Sequence, residues 1–332
     1  MKRLGVIGTL VWDRIWQRGA DAVQAQPIEE WGGIAYSLAA LGAYRPHGWE
    51  IVPILKVGED RAPEAWSFLR SVPGLDLGRA VQVVPHPNNR VELRYHDADR
   101  RCERLTGGVP PWHWAELEPL VEELDALYLN FISGFEMELA DLKQLRSRFV
   151  GPIYADIHSL LLGRTADGRR VPQPLSGWRE WLRCADAVQL NEDELATLAV
   201  SWGDPWHFAV DALDQETRLL LVTRGPAGAD YFAEAGLADD PLEWPRLRSA
   251  AVHRAAQLRT GRIAPPSGAL SGDPTGCGDV WGSTLFVSLL GGCSLEEAIL
   301  RAHTAAARNV KHNGASGLYA HLQGELNTAD RT

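Results

Sequence analysis

Cysteine is scarce in this chain. Cys102, Cys184, Cys277 and Cys293 are the four in 332 residues, far apart and with no Cys-x-x-Cys pair. That spacing implies neither a zinc site nor a disulfide framework, and it fits a reducing, cytoplasmic compartment. Long apolar runs are missing as well. Met1 to Ile7 passes from one basic pair straight into a short strand-like run, without the apolar core of a secretion signal. No later stretch approaches a membrane span. Positive charge is in deficit, with 33 Lys and Arg against 43 Asp and Glu and a formal net charge of −10. This argues against a bulk preference for nucleic acid or an anionic membrane surface and leaves small molecules as the expected partners. There is no internal repeat and no low-complexity tract. Leu4 to Asp13 lacks the Gly-x-Gly-x-x-Gly turn that a dinucleotide-binding oxidoreductase places after an early strand.

What is present is an alternation of strand and helix patterns, enough for one large α/β domain. Strands are expected at Leu4–Gly8, Glu50–Val57, Val81–Val84, Ala126–Leu129, Ile153–Asp156, Ala187–Leu190 and Arg218–Thr223, with helices at Gly33–Leu41 and Asp60–Ser71. A mostly parallel sheet follows. Between Arg90 and Leu105 apolar and polar residues alternate instead, which predicts a polar-faced hairpin outside the main sheet, turning at Asp97–Arg100. Gly163–Gly177 reads as a long loop, and Pro241–Gly272 as short extended pieces with turns.

The most informative stretch is Gly272-Asp273-Pro274-Thr275-Gly276-Cys277-Gly278-Asp279, followed by the apolar run Val280–Leu290. Glycines one residue apart leave backbone amides uncovered where helical periodicity begins, and such a corner favours an anion. Asp279, in the first turn, is placed to accept a proton from a hydroxyl attacking a phosphate. Three weaker signals accompany it. Gly32-Gly33 precedes a small-residue helix carrying Ser37, with Asp13 upstream; these residues can meet substrate hydroxyls or serve close packing. Asn191 and Glu194 stand at capping-box spacing after an apolar strand, where magnesium-held phosphates could also lie. Thr223, Gly225 and Gly228 form a turn after the next strand, either ordinary or closing over nucleotide phosphates.

In their order and spacing these four signals resemble the ribokinase-like superfamily of sugar and nucleoside kinases, the phosphofructokinase-B type. Lys56-Val57-Gly58-Glu59-Asp60 looks like that superfamily's Val-Gly-x-Asp turn, and Gly282–Gly314 looks like its last two helices. The resemblance implies a doubly wound α/β/α three-layer sandwich with a mostly parallel sheet and a small β-sheet lid. The domain would span residues 1–326, with lid segments near 12–31 and 88–107 and a terminal tail at 327–332. It further implies ATP and Mg2+ as cofactors, with a monovalent cation left open, and a homodimer paired through the lids as one arrangement. Asp279 would be the base, with the amides of Gly276, Cys277 and Gly278 as an anion hole. Asn191 and Glu194 would hold the metal through water; Thr223, Gly225, Gly228, Asp273 and Thr275 would line the nucleotide, and Asp13, Gly32, Gly33 and Ser37 would touch the acceptor.

The chain departs from the family pattern in places. Ser37 stands where an Asn is usual, Pro274 and Cys277 replace a common Thr and Ala, and Asp156-Ile157-His158-Ser159 replaces a frequent Asp-x-Asn-x-x-Arg. The acceptor therefore stays open between a sugar and a nucleoside, and a catalytically idle ligand-binding relative is the alternative from another class. Trp12, Trp16, Trp31 and Tyr36 could stack on a ligand or pack beneath the lid. His96 and His158 are further candidates for hydroxyl contacts, and the arginines at 90, 94, 100, 101 and 104 read as a solvated face.

Overall fold

The structure, a computed structural model, describes residues 1–16, 26–78, 80–95, 101–213, 217–245, 258–266 and 272–325. The expected turn at 97–100, His96, Arg100, the middle of the 241–272 stretch and the tail at 327–332 lie outside these residues.

Nine strands form one sheet in the order β15 (Leu258–Ile263), β14 (Ala229–Glu234), β13 (Leu219–Thr223), β12 (Ala187–Asn191), β9 (Ile153–Asp156), β8 (Ala126–Asn130), β1 (Lys2–Ile7), β4 (Trp49–Gly58), β5 (Val81–Val84). From β13 to β5 all neighbours run parallel; β14 and β15 are added antiparallel at one edge. The parallel strands read as continuous apolar runs because both faces are covered. Along β1 and β8, Leu4, Val6, Ala126 and Tyr128 enter one core, while Ile7, Leu127 and Leu129 enter the other. The period of two thus serves two helix layers at once.

The first core is closed by α1 (Ile34–Tyr44), α2 (Ala62–Ser71), α8 (Cys277–Leu290), α9 (Leu295–Asn309) and α10 (Leu318–Gln323). The second is closed by α3 (Trp114–Val121), α4 (Leu139–Arg148), α5 (Trp178–Leu182), α6 (Glu192–Leu198) and α7 (Pro205–Ala212). Helix α8 is buried without interruption from Val280 to Leu290 because α1, α9 and the sheet surround it. This is the doubly wound α/β/α arrangement expected.

A separate four-stranded sheet has the order β3 (Ile28–Gly33), β2 (Leu10–Trp16), β6 (Arg90–Tyr95), β7 (Arg101–Thr106). The described parts of segments 12–31 and 88–107 contribute to all four of its strands. Its inner face packs Val11, Ile15, Val91, Leu93 and Leu105 together, while Trp12, Arg14 and Trp16 alternate onto the other face. The Val57-Gly58-x-Asp60 turn anchors its base through Asn88. Gly58 N donates to Asn88 Oδ1 at 3.0 Å, Asn88 N donates to Asp60 Oδ1 at 2.7 Å, and Asn88 Nδ2 reaches Leu10 O at 3.0 Å.

The stretch Gly163–Gly177 is not a plain loop. It contains an antiparallel pair, β10 (Leu162–Arg164) and β11 (Arg170–Pro172), closed by Thr165 N donating to Arg169 O at 3.0 Å. The Asp167 carboxylate secures the turn by accepting from Thr165 Oγ1 and Arg169 Nε. Three-residue strands are too short to show a periodicity, so turn chemistry was the only available signal. Among the described residues no helix is long and apolar enough to cross a membrane.

Candidate active site

Strand register brings the polar ends of several strands to one edge of the sheet. Asn130 of β8 lies level with Asp156 of β9, Asp156 with Gln189 of β12, and Asn191 of β12 with Thr223 of β13. Apart from Gln189, two residues earlier on β12, each is the last residue of its strand, at the edge where open α/β sheets hold ligands.

The first turn of α8 sits over this edge. Gly276 caps it with φ 74°, and a Cβ there would lie 2.3 Å from the Tyr36 ring, so the turn needs glycine on two counts. The turn is fastened from below. Gln189 Nε2 donates to Gly278 O at 3.0 Å and to Asp156 Oδ2 at 3.0 Å, while Tyr154 Oη donates to Gln189 Oε1 at 2.7 Å. Asn130 Nδ2 donates to Asp279 Oδ1 at 2.7 Å, and Ser283 Oγ donates to Asp279 O at 2.6 Å. The Asp279 carboxylate is thereby aimed while it remains half-buried at the cleft.

Charge is concentrated here. Burial pushes the Asp279 carboxyl up to about 6, with the His158 charge opposing the rise and Asp156 adding to it. Burial likewise pushes Glu194 up to about 7, again against His158. His158 moves the other way. Burial of its ring lowers its pKa, but the Asp156 carboxylate, 2.9 Å from Nδ1, outweighs that and raises it to about 10. One donor atom from each of Asp156, His158 and Asp279 lies within 4.8 Å of the other two.

The expected site residues fall into three groups. Asp279, Gly276, Cys277 and Gly278 form the corner itself, but Cys277 N already donates to Pro274 O at 3.1 Å. Gly276 and Gly278 therefore remain as the corner's first-turn donors outside the helix ladder. Burial pushes the Cys277 thiol up to about 11, which keeps it a protonated filler. Asp273 and Thr275 adjoin the corner, with Asp273 Oδ1 accepting from Thr275 N at 2.9 Å and from Thr275 Oγ1 at 2.6 Å.

Asn191 and Glu194 do make the capping box of α6. Glu194 N donates to Asn191 Oδ1 at 2.9 Å, and the Glu194 carboxylate takes both Asn191 N and Nδ2. Thr223, Gly225 and Gly228 follow at the end of β13, around a single 3-10 turn. Asp13 and the glycine pair are at the lid. The Asp13 carboxylate lies against Gly32, where a Cβ would be 1.8 Å from Oδ2, and Gly33 caps α1.

Ser37 lies apart from the lid residues. It is fully buried, and its hydroxyl accepts from Asn130 Nδ2 at 3.2 Å and donates to Asp279 O at 3.4 Å. It braces Asp279 rather than touching an acceptor. Sequence reasoning also missed Asn130 and Gln189, which are 1% and 2% exposed. The available signal was an amide side chain inside an apolar strand, which must find a partner when buried.

Around the lid, Trp31 is buried and meets Trp12 edge-on with ring centroids 5.0 Å apart, and Arg61 covers Trp12 at 4.3 Å. Tyr36 is buried under Gly276. Trp16 is covered by Arg14 and Arg94, and Arg90 pairs with Asp60 at 2.6 Å.

Residues 169–320 match the family described as pfkB family carbohydrate kinase. No curated protein matches the chain in sequence. In fold it is similar to a pyrophosphate-dependent kinase in the ribokinase family solved as a sulfate complex, with 19% identity, TM-score 0.71, and 94% of this chain and 96% of that chain covered. It is similar to a Burkholderia thailandensis nucleoside kinase in complex with inosine, with 17% identity, TM-score 0.68 and coverage of 98% and 97%. It is also similar to a putative ribokinase II from E. coli in complex with ATP and Mg2+, with 15% identity, TM-score 0.70 and 100% of both chains covered. The family match thus lies in the C-terminal part of the chain, and the fold over nearly its whole length is that of these solved structures.

Proposed function

We propose that this protein transfers the terminal phosphate of ATP to a hydroxyl of a sugar or sugar-like small molecule. The observation that carries the reading is Asp279 itself. Its carboxylate is held by Asn130 at 2.7 Å in the first turn of α8, and burial raises it to about 6. At neutral pH it is ionised, yet more basic than an exposed carboxylate, as a general base for a hydroxyl requires.

The acceptor lies beneath the lid near Asp13, Gly32 and Gly33, with its hydroxyl directed at Asp279. The nucleotide runs along the ends of β12 and β13, past Thr223, Gly225 and Gly228, toward Asp273 and Thr275. Amides of Gly276 and Gly278 meet the charge that builds on the phosphoryl oxygens, and Cys277 joins them by exchanging its bond to Pro274 O for a phosphate oxygen. The chain's main work is alignment and charge balance, which phosphoryl transfer chiefly demands.

The Asn191-Glu194 pair fits a hydrated magnesium ion. Burial and the neighbouring Asp156 and Asp193 leave Glu194 with a carboxyl near 7, an acidic site that a cation relieves. Magnesium bound there would neutralise negative charge on the donor phosphates.

A sugar acceptor is favoured over a nucleoside because Trp12 and Trp31, a cross-strand pair next in sequence to Asp13 and Gly32, are already engaged with each other and, through Trp12, with Arg61. The test is Mg2+-dependent donor consumption, with ATP and with pyrophosphate, across pentoses, hexoses, sugar acids, sugar phosphates and nucleosides. Phosphorylation of a sugar-type acceptor supports the proposal. Tight binding of one compound with no turnover on any would replace it with a ligand sensor.

A further inference from the structure

His158 has no place in the mechanism so far. Its backbone N donates to Asp156 Oδ1 at 3.1 Å, and ring Nδ1 meets the same oxygen at 2.9 Å. An ionised carboxylate only accepts, so this contact requires a proton on Nδ1 and fixes the ring's orientation. Asp156 is held in turn by Gln189 at 3.0 Å, the same amide that fastens Gly278. No described residue hydrogen-bonds Nε2, and the side chain is 30% exposed at the cleft.

The surroundings make the ring a cation. Asp156, Asp279 and Glu194 all favour the protonated form, which persists to about pH 10. With Nδ1 committed to Asp156 and the ring charged, His158 offers no lone pair to a metal. It offers a second N–H instead.

Position decides what that N–H meets. Ile157 N donates to Gln189 O at 3.2 Å, and β9 pairs with β12, which sets His158 on the side where Asn191 and Thr223 end their strands. In the proposed function the nucleotide runs along these strand ends, so this is the donor side of Asp279. A ring nitrogen of this cation lies within 4.8 Å of an Asp279 carboxylate oxygen, so the ring borders the space that a phosphate between donor and acceptor would occupy.

We propose that His158 binds the terminal phosphate of the donor through Nε2–H, oriented by Asp156, and so adds a fixed positive charge to the backbone amides of the corner. The inference rests on the kinase reading for its donor. During transfer the acceptor oxygen forms its bond to phosphorus as the bond from phosphorus to the donor's bridging oxygen breaks. The bridging oxygen leaves with the electron pair, the hydroxyl proton goes to Asp279, and His158 keeps its proton throughout. A charged phosphate contact of this kind is stronger than a neutral hydrogen bond.

The test is calorimetric titration of MgATP and MgADP into the wild-type protein, His158→Gln and His158→Arg, with turnover followed in parallel. Wild type should bind ATP more tightly than ADP. His158→Gln should cut that preference about tenfold or more, with the acceptor KM unchanged, and His158→Arg, which keeps a cation, should retain most of it. If the glutamine variant does not fold, His158→Asn carries the same measurement. An ATP-to-ADP ratio in His158→Gln equal to wild type, or no preference in wild type, overturns the assignment. Turnover by wild type beside an unchanged ratio leaves the kinase reading standing. A lost ratio with no turnover on any acceptor keeps the phosphate contact and removes the kinase reading.

Discussion

Around Asp279 the polar side chains come from separate elements and lie buried against one another, whereas the charged side chains on the outer face of the lid pair at the surface. Asn130, Gln189 and Asp156 are 1–3% exposed, and each is bonded across strands or to α8. Arg14 and Arg90 of the lid are 38% and 41% exposed, and they engage Glu29, Asp60 and Trp16 at the surface. A buried polar network is costly to leave half-satisfied, so it holds one geometry; exposed ion pairs contribute little and can be exchanged. In the proposed kinase the corner would therefore keep one geometry for phosphate chemistry, while the outer face of the lid tolerates change.

Perturbing the corner should produce the largest effects, beginning with Asp279→Asn. The account predicts a kcat about a thousandfold lower with donor affinity nearly unchanged, measured by initial rates and by titration. Stability should move in the opposite direction. The folded-state carboxyl is raised, so the stability it contributes is complete below its ordinary value of 3.8 and lost as pH rises through about 6. At pH 8 the variant should melt higher than wild type by about 2 °C, which would separate lost chemistry from lost folding.

Asn130→Ala comes next, with kcat lower by about ten- to a hundredfold, because the carboxylate loses its aiming bond and Ser37 a partner. Equal losses of kcat and of fold by circular dichroism would instead make Asn130 structural only. Gly276→Ala should destabilise by about 1–3 kcal/mol in chemical denaturation, since its φ is positive and the Tyr36 ring must move. In the lid, Trp12→Ala should raise the acceptor KM only a few-fold and leave kcat alone. A collapse of kcat in that variant would break the contrast between the two regions.

The same contrast governs what the sequence revealed. The parallel sheet is legible because continuous apolar runs have few other uses, and the β6–β7 hairpin because its alternation differs from theirs. The corner was legible because uncovered glycine amides before a helix favour an anion. Asn130 and Gln189 were not, since their roles come from register: only when β8, β9 and β12 align do two ordinary amides face α8 and Asp156. The contacts of Ser37 are illegible for a related reason. Helix α1 was placed, but its rotation against α8 was not, and that rotation turns the hydroxyl toward Asp279 rather than the cleft. The capping box at Asn191 and Glu194 was visible as a local motif because it is closed by residues three apart.

The central claim is that Asp279 acts as an ionised base in phosphoryl transfer. Its most direct test is the pH dependence of the transfer rate at saturating donor and acceptor. The rate should climb about tenfold per pH unit below a midpoint near 6 and level off above it. A rate unchanged between pH 5 and about 8 would contradict it.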